Sequence, residues 1–231
     1  MVKTIKIVAI AAFITTLCAV TASAQSTSGT VSMSGTVSKF VEINSGGAAS
    51  LSGNSGGGIT TNGTLNNPLA VVIDLGELGP SNTNSFVTAS VPVKLRSNAG
   101  YVLSAIATVT GSGATANKVS AADVGFGFGA VTRTGVGVNT TGTDTNATPG
   151  DPTAAAGSVN ATTGRWEFTA TRGNLSAFTA STTALSGQYI MNAVPRSNAN
   201  GLTVPAIFAV KPQFYENGST TVSVTFTVTA P

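Results

Sequence analysis

Apolar and polar residues alternate with a period of two over much of this chain. From residue 31 to 43 the apolar side chains Val31, Met33, Val37, Val41 and Ile43 fall on odd positions, and Thr30, Ser32, Ser34, Thr36 and Ser38 fall on even ones. A period of two is the signature of a strand with one buried face. Lys39 and Phe40 interrupt it, as at a bulge or a crossing point. Val87, Ala89, Val91, Val93 and Leu95 repeat the pattern, and after the turn signal Ser97-Asn98-Ala99-Gly100 it returns in Tyr101, Leu103, Ala105, Ala107 and Val109. These two runs read as a hairpin. Pro92 has no N–H to give to a ladder, which assigns the first run to an edge or bulged strand.

Residues 69 to 75 form a short, nearly continuous apolar run expected to be a buried strand. Val124 to Val131 (VGFGFGAV) reads as a strand with both phenylalanines on one face and a bare glycine face suited to close packing. Trp166, Phe168 and Ala170 alternate in RWEFTAT. Ala206 to Phe214 is apolar and aromatic, Glu216-Asn217-Gly218-Ser219 is a turn with Asn-Gly at its centre, and Val222, Val224, Phe226, Val228 and Ala230 alternate to the end. Two stretches, 45–67 and 132–163, are rich in Gly, Ser, Thr and Asn and read as loops. No amphipathic helical repeat of ten or more residues occurs after residue 24. The expected fold is all-β, an antiparallel β-sandwich of the immunoglobulin or pilin type with long Gly/Ser/Thr/Asn-rich loops, and less than about one-tenth helix. An outer-membrane barrel needs aromatic girdles and long regular strands, which this chain does not show.

The first residues change the picture from fold to compartment. Lys3 and Lys6 precede a mostly apolar stretch, Ile7 to Val20, and Ala22-Ser23-Ala24 follows with small residues at the positions a signal peptidase reads. The apolar stretch is shorter than the roughly 20 residues of a membrane span. Residues 1–24 are therefore expected to be a signal peptide. The expected mature protein starts at Gln25 and forms a single β-sandwich domain, 25–231, with an N-terminal strand segment at 28–43. The expected location is the periplasm, the cell surface or the extracellular space, with no transmembrane segment after cleavage. Cys18, the only cysteine, lies inside the signal, so the mature chain has no disulfide.

Charge is sparse. Only 8% of residues are charged, against about 25% in ordinary globular proteins. Without Lys3 and Lys6 the remaining nine basic and eight acidic residues leave a net charge of +1. No basic cluster exists, which argues against nucleic acid as a partner.

The chain has no histidine. With no mature cysteine either, histidine-activated nucleophiles, His/Cys zinc sites and haem or iron–sulfur ligation are excluded, and no cofactor is expected. Gly53-Asn54-Ser55-Gly56-Gly57 matches G-x-S-x-G, but a nucleophile elbow needs a strand, a helix and a histidine base. Asp144-x-Asn146-x-Thr148-x-Gly150-Asp151 alternates oxygen ligands around a turn, so Asp144, Asn146 and Asp151 are calcium-loop candidates. The later bidentate Glu is missing, and Pro149 stiffens the bend. Glu42, Asp74, Glu77, Asp123, Glu167 and Glu216 are scattered and nominate no glycosidase pair. Trp166, Phe168, Tyr189, Phe214 and Tyr215 are candidates for a sugar-stacking platform, although aromatics in strands usually belong to the core.

An exported chain with an alternating segment at Val31 to Ile43 and a final Ser/Thr/Val strand at Thr220 to Ala230 resembles bacterial fimbrial subunits of the chaperone–usher type and the related spore-coat-U-like proteins. The resemblance implies a structural subunit whose sandwich lacks one strand, filled by the N-terminal extension of a neighbour. Val31, Met33, Val37, Val41 and Ile43 would then be the side chains of the assembly strand. The expected function is a non-enzymatic secreted or cell-surface structural subunit, associating with itself or with other surface proteins. The alternative is a secreted binding module, an adhesin or carbohydrate binder, that uses the loops at one end of the sandwich. A carboxylate enzyme ranks last.

Overall fold

The computed structural model describes residues 32–53, 56–62, 67–80, 82–111, 117–192 and 200–231. The chain divides into two units, Met1–Val37 and Ser38–Pro231. Residues 1–24, read as a signal peptide, lie outside the described residues with Gln25 and Val31, as do Asn54 and Ser55 of the G-x-S-x-G match. Of the described residues 48% are strand and 6% helical, and neither main sheet closes into a barrel. None of them forms a helix long and apolar enough to cross a membrane.

Two antiparallel sheets build the second unit. The first contains β1 (Val41–Ser45), β2 (Ser50–Ser52), β5 (Val87–Ser97), β7 (Val124–Phe128), β8 (Thr132–Thr134) and β13 (Gly201–Val210). In it β1 and β2 share one edge of β5, β13 lies on the other edge, and β7 and β8 share the far edge of β13. The second sheet runs in the order β3 (Gly58–Thr61), β4 (Leu69–Asp74), β14 (Thr220–Thr229), β6 (Tyr101–Gly111), β12 (Thr182–Gly187), β9 (Asp144–Asn146). A separate hairpin joins β10 (Gly157–Val159) to β11 (Trp166–Phe168).

The predicted alternation supplies the core. The odd residues of β5, the even residues Val222 to Val228 of β14, Leu103 of β6 and Phe208 of β13 are all buried. Phe126 sits at the centre, with ring centroids 4.9 Å from Phe178, 5.2 Å from Phe208 and 5.4 Å from Phe128. Such offset and edge-on pairs add to the burial term itself.

The predicted hairpin across Ser97–Gly100 does not form. β5 and β6 belong to opposite sheets, as do β13 and β14 on either side of the Asn-Gly turn. Alternation marks which side chains point inward but not whether the next strand lies beside or opposite. Here the two buried faces look at each other across the core.

Pro92 is not on an edge strand. It lies in β5, opposite Pro205 of β13 in the ladder. The Pro92 carbonyl accepts the Gly46 N–H at 2.6 Å, and the Pro205 carbonyl accepts the Gly129 N–H at 2.9 Å. In a strand a residue's N and C=O point to the same side, so each proline turns its missing donor outward. Outward lie the break between β1 and β2 and the break between β7 and β8, so neither interior ladder loses a bond.

The strand expected over 28–43 is confined to its end. β1 begins at Val41; Ile43 is fully buried and Val41 partly buried. Residues 32–40 carry no strand, and Met33 and Val37 are 95% and 88% exposed. A strand needs a neighbour's main chain as well as an alternating face. From Val41 onward β5 supplies it. Just before, Asn98 ends the ladder: its amide donates to the Ser38 carbonyl at 3.0 Å, and its side-chain oxygen accepts the Phe40 N–H at 2.7 Å.

The polar stretches read as loops also carry structure. β2 and β3 form within 45–67, and β8, β9, β10 and a 3-10 turn at Pro152–Ala154 form within 132–163. Part of the second stretch covers the bare face of β7. A Cβ on Gly125 would come within 2.5 Å of the Phe168 ring, and one on Gly127 would collide with the Gly150 carbonyl. The two glycines let a third layer lie directly on the sheet.

Candidate functional site

At one end of the sandwich the connections around residues 76–80, 117–120, 160–165 and 211–219 meet. The Glu216 N–H donates to the Asn117 carbonyl at 3.0 Å, and Arg165 Nη1 donates to the Lys118 carbonyl at 2.6 Å. Gln213 serves β11 as a short extra strand. Its Oε1 accepts the Trp166 N–H at 2.7 Å, while its Nε2 donates to the Trp166 carbonyl and the Tyr215 hydroxyl, both at 3.0 Å.

Trp166 packs at 4.7 Å from Phe168 and 5.6 Å from Phe86. The Lys211 ammonium stands 4.9 Å from the Trp166 ring centroid, a cation–π distance.

A buried carboxyl lies in the turn packed against β11. Asp123 closes a 3-10 turn (Ala121–Asp123) and is 1% exposed. Its Oδ2 accepts the Ser120 N–H at 2.7 Å and the Ser120 hydroxyl at 2.6 Å, and pairs with Arg165 Nη1 at 3.2 Å. Its Oδ1 and the Arg165 Nε are buried without a hydrogen-bond partner among the described residues. Burial pushes the Asp123 carboxyl above its usual range, against the pull of the Ser120 bonds and the Arg165 charge. Burial also raises the Tyr215 phenol, helped by the charge of Asp123. Glu167 is held separately by Asn160 Nδ2 at 2.9 Å and Thr163 Oγ1 at 3.2 Å.

Two clefts open at this end. One, about 440 Å³, is lined by Pro80, Thr163, Arg165, Pro212, Gln213 and Phe214; the other, about 250 Å³, by Leu78, Val119, Tyr215 and Thr220 among others. Phe214 is 86% exposed. Arg165 and Phe214 line the first cleft together, and Asp123 is not among the lining residues of either.

The calcium-loop candidates line neither cleft, and each is engaged by its own partners. Asp144 is clasped by Arg133, Nε to Oδ2 at 2.8 Å and Nη2 to Oδ1 at 2.6 Å, and accepts the Tyr101 hydroxyl at 2.8 Å. Asn146 Oδ1 accepts from Thr148, and its Nδ2 donates to the Phe128 carbonyl at 2.9 Å. Asp151 caps the Pro152–Ala154 turn through the Thr153 N–H at 2.9 Å. No group of three or more Asp, Glu, His or Cys able to hold a metal occurs among the described residues.

Arg133 also donates to the carbonyls of Asn139, Gln188 and Tyr189. It fastens β8 of one sheet to β9 and the end of β12 in the other. The Asp144 bonds raise the Arg133 guanidinium further, and burial raises the Tyr101 phenol.

Of the five aromatics read as a sugar platform, Trp166, Phe168 and Tyr215 share the loop end with Phe214, Phe168 is buried, and Tyr189 lies beside Arg133. Asp123, Arg165 and Gln213 were not legible as a group, because loops far apart in sequence assemble them. The alternation in RWEFTAT did carry part of the signal, placing Arg165 and Glu167 on one side and Trp166 and Phe168 on the other. No protein-family model matches the chain, and no curated protein or solved structure does either.

Proposed function

We propose that the chain is exported, loses residues 1–24, and serves as a non-enzymatic cell-surface structural subunit that joins its copies by strand addition. One observation carries the reading. Met33 and Val37, in a segment with strand periodicity, are exposed and in no strand, while the unit from Ser38 onward has a buried core of its own. An alternating segment of this kind acquires a partner by adding to an open sheet edge, where main-chain bonds give affinity and alternate side chains give specificity. Sparse charge and a Thr/Ser-rich surface suit such a role.

Val37→Asp tests it. Val37 is already exposed, so the isolated protein keeps its melting temperature, whereas burial of an unpaired carboxylate in a strand-addition interface costs several kcal/mol. Light scattering of the mature protein is expected to show oligomers for the native sequence and monomers for Val37→Asp. Equal oligomers for both, or monomers for both, would refute strand addition by this segment.

A further inference from the structure

The 440 Å³ cleft at the loop end is the feature that structural assembly leaves unused. We propose that it binds an acidic saccharide, with the sugar's apolar face on Phe214 and its carboxylate on Arg165. This goes beyond the assembly reading and does not rest on it.

The first argument is the rigidity of an exposed ring. Phe214 is 86% exposed, and a lone exposed apolar residue by itself is unremarkable in a folded protein. Its neighbours are pinned, however. Gln213 is locked to both main-chain groups of Trp166, and the Tyr215 hydroxyl reaches the Lys211 carbonyl at 3.3 Å. A ring held out on a fixed backbone loses little conformational entropy when a ligand covers it.

The second argument is the guanidinium. Arg165 lines the same cleft with its side chain 13% exposed. Among the described residues its Nη1 bonds the Lys118 carbonyl and Asp123 and its Nε is buried without a partner, which leaves Nη2 as the donor for the cleft. The remaining guanidinium N–H can give a carboxylate one charge-assisted bond. Pro80 and Pro212 complete walls that offer no N–H of their own. The volume falls in the range of small-ligand sites. A uronic-acid ring supplies both required parts, an apolar C–H face and a carboxylate on one rigid frame.

The test is calorimetric titration of the mature protein with trigalacturonate, a neutral galactose trisaccharide and an acidic hexapeptide. Trigalacturonate is expected to bind, and to bind at least about tenfold more tightly than the neutral sugar, a difference of about 1.4 kcal/mol. Phe214→Ala is expected to weaken it by a similar factor with an unchanged melting temperature, since the ring is exposed. Arg165→Lys keeps the charge but loses the Nη2 donor and is expected to weaken binding as well. No heat with trigalacturonate at millimolar concentration would overturn the proposal. So would equal binding of the neutral sugar, undiminished binding by Phe214→Ala, or preferential binding of the peptide. Light scattering on the same samples reports assembly separately, so failure here leaves the strand-addition test untouched.

Discussion

Replacing Arg133 by Met removes the clasp between the two sheets and leaves the Asp144 carboxylate in place. The pair is buried, with side chains 5% and 9% exposed. Arg133 contributes two charge-assisted bonds to Asp144 and bonds to three main-chain carbonyls. After the substitution Asp144 retains the Tyr101 hydroxyl. Removing one partner of a buried pair costs about 3–5 kcal/mol, because the surviving charge stays desolvated. For a chain of this size each kcal/mol lowers the melting temperature by about 2–4 °C, so a fall of about 6–20 °C is expected. Thermal melts followed by far-UV circular dichroism measure it. Arg133→Met/Asp144→Leu removes both charges, and apolar replacement of a whole buried pair is often nearly neutral. The double variant should therefore be more stable than Arg133→Met alone. The reasoning fails if Arg133→Met melts within about 2 °C of the native protein, or if the double variant is the less stable of the two.

Gly127→Ala should destabilise by about 1–3 kcal/mol or more, since its methyl meets the Gly150 main chain, with the carbonyl carbon 2.8 Å away. Gly58→Ala, with no atom within 4 Å of the new methyl, is the matched control in urea melts and should be nearly silent. Asp123→Asn should change the pH dependence of stability. A carboxyl with a raised folded pKa binds its proton more tightly when folded, so its contribution is full below the unfolded value and is lost as pH rises through the folded value. The urea midpoint of the native protein minus that of Asp123→Asn should therefore fall as pH rises above about 4; a difference that rises instead would show that the Arg165 pair outweighs burial.

The fold class and the inward faces are legible in the alternation alone. Val87 to Leu95 and Val222 to Val228 alternate because a two-sided sheet has a period of two, and those residues are buried. The glycine face of β7 was legible for the same reason, as a surface without side chains. Only the tertiary structure decided which strands are neighbours. β5 and β6 share a turn signal with a hairpin, yet they face each other across the core, because alternation is identical whether the chain turns within a sheet or between sheets. Pro92, read as a residue of an edge or bulged strand, lies inside the sheet because the gap between β1 and β2 accommodates it, and β2 lies in a stretch whose polar composition hides strands. Spacing along the chain does not reveal that Arg133 clasps Asp144 while local turns engage Asn146 and Asp151. The loop-end cluster of Asp123, Arg165 and Gln213 depends on contacts between segments up to 47 residues apart. Contacts at that range are set by how the two sheets pack, which local periodicity does not encode.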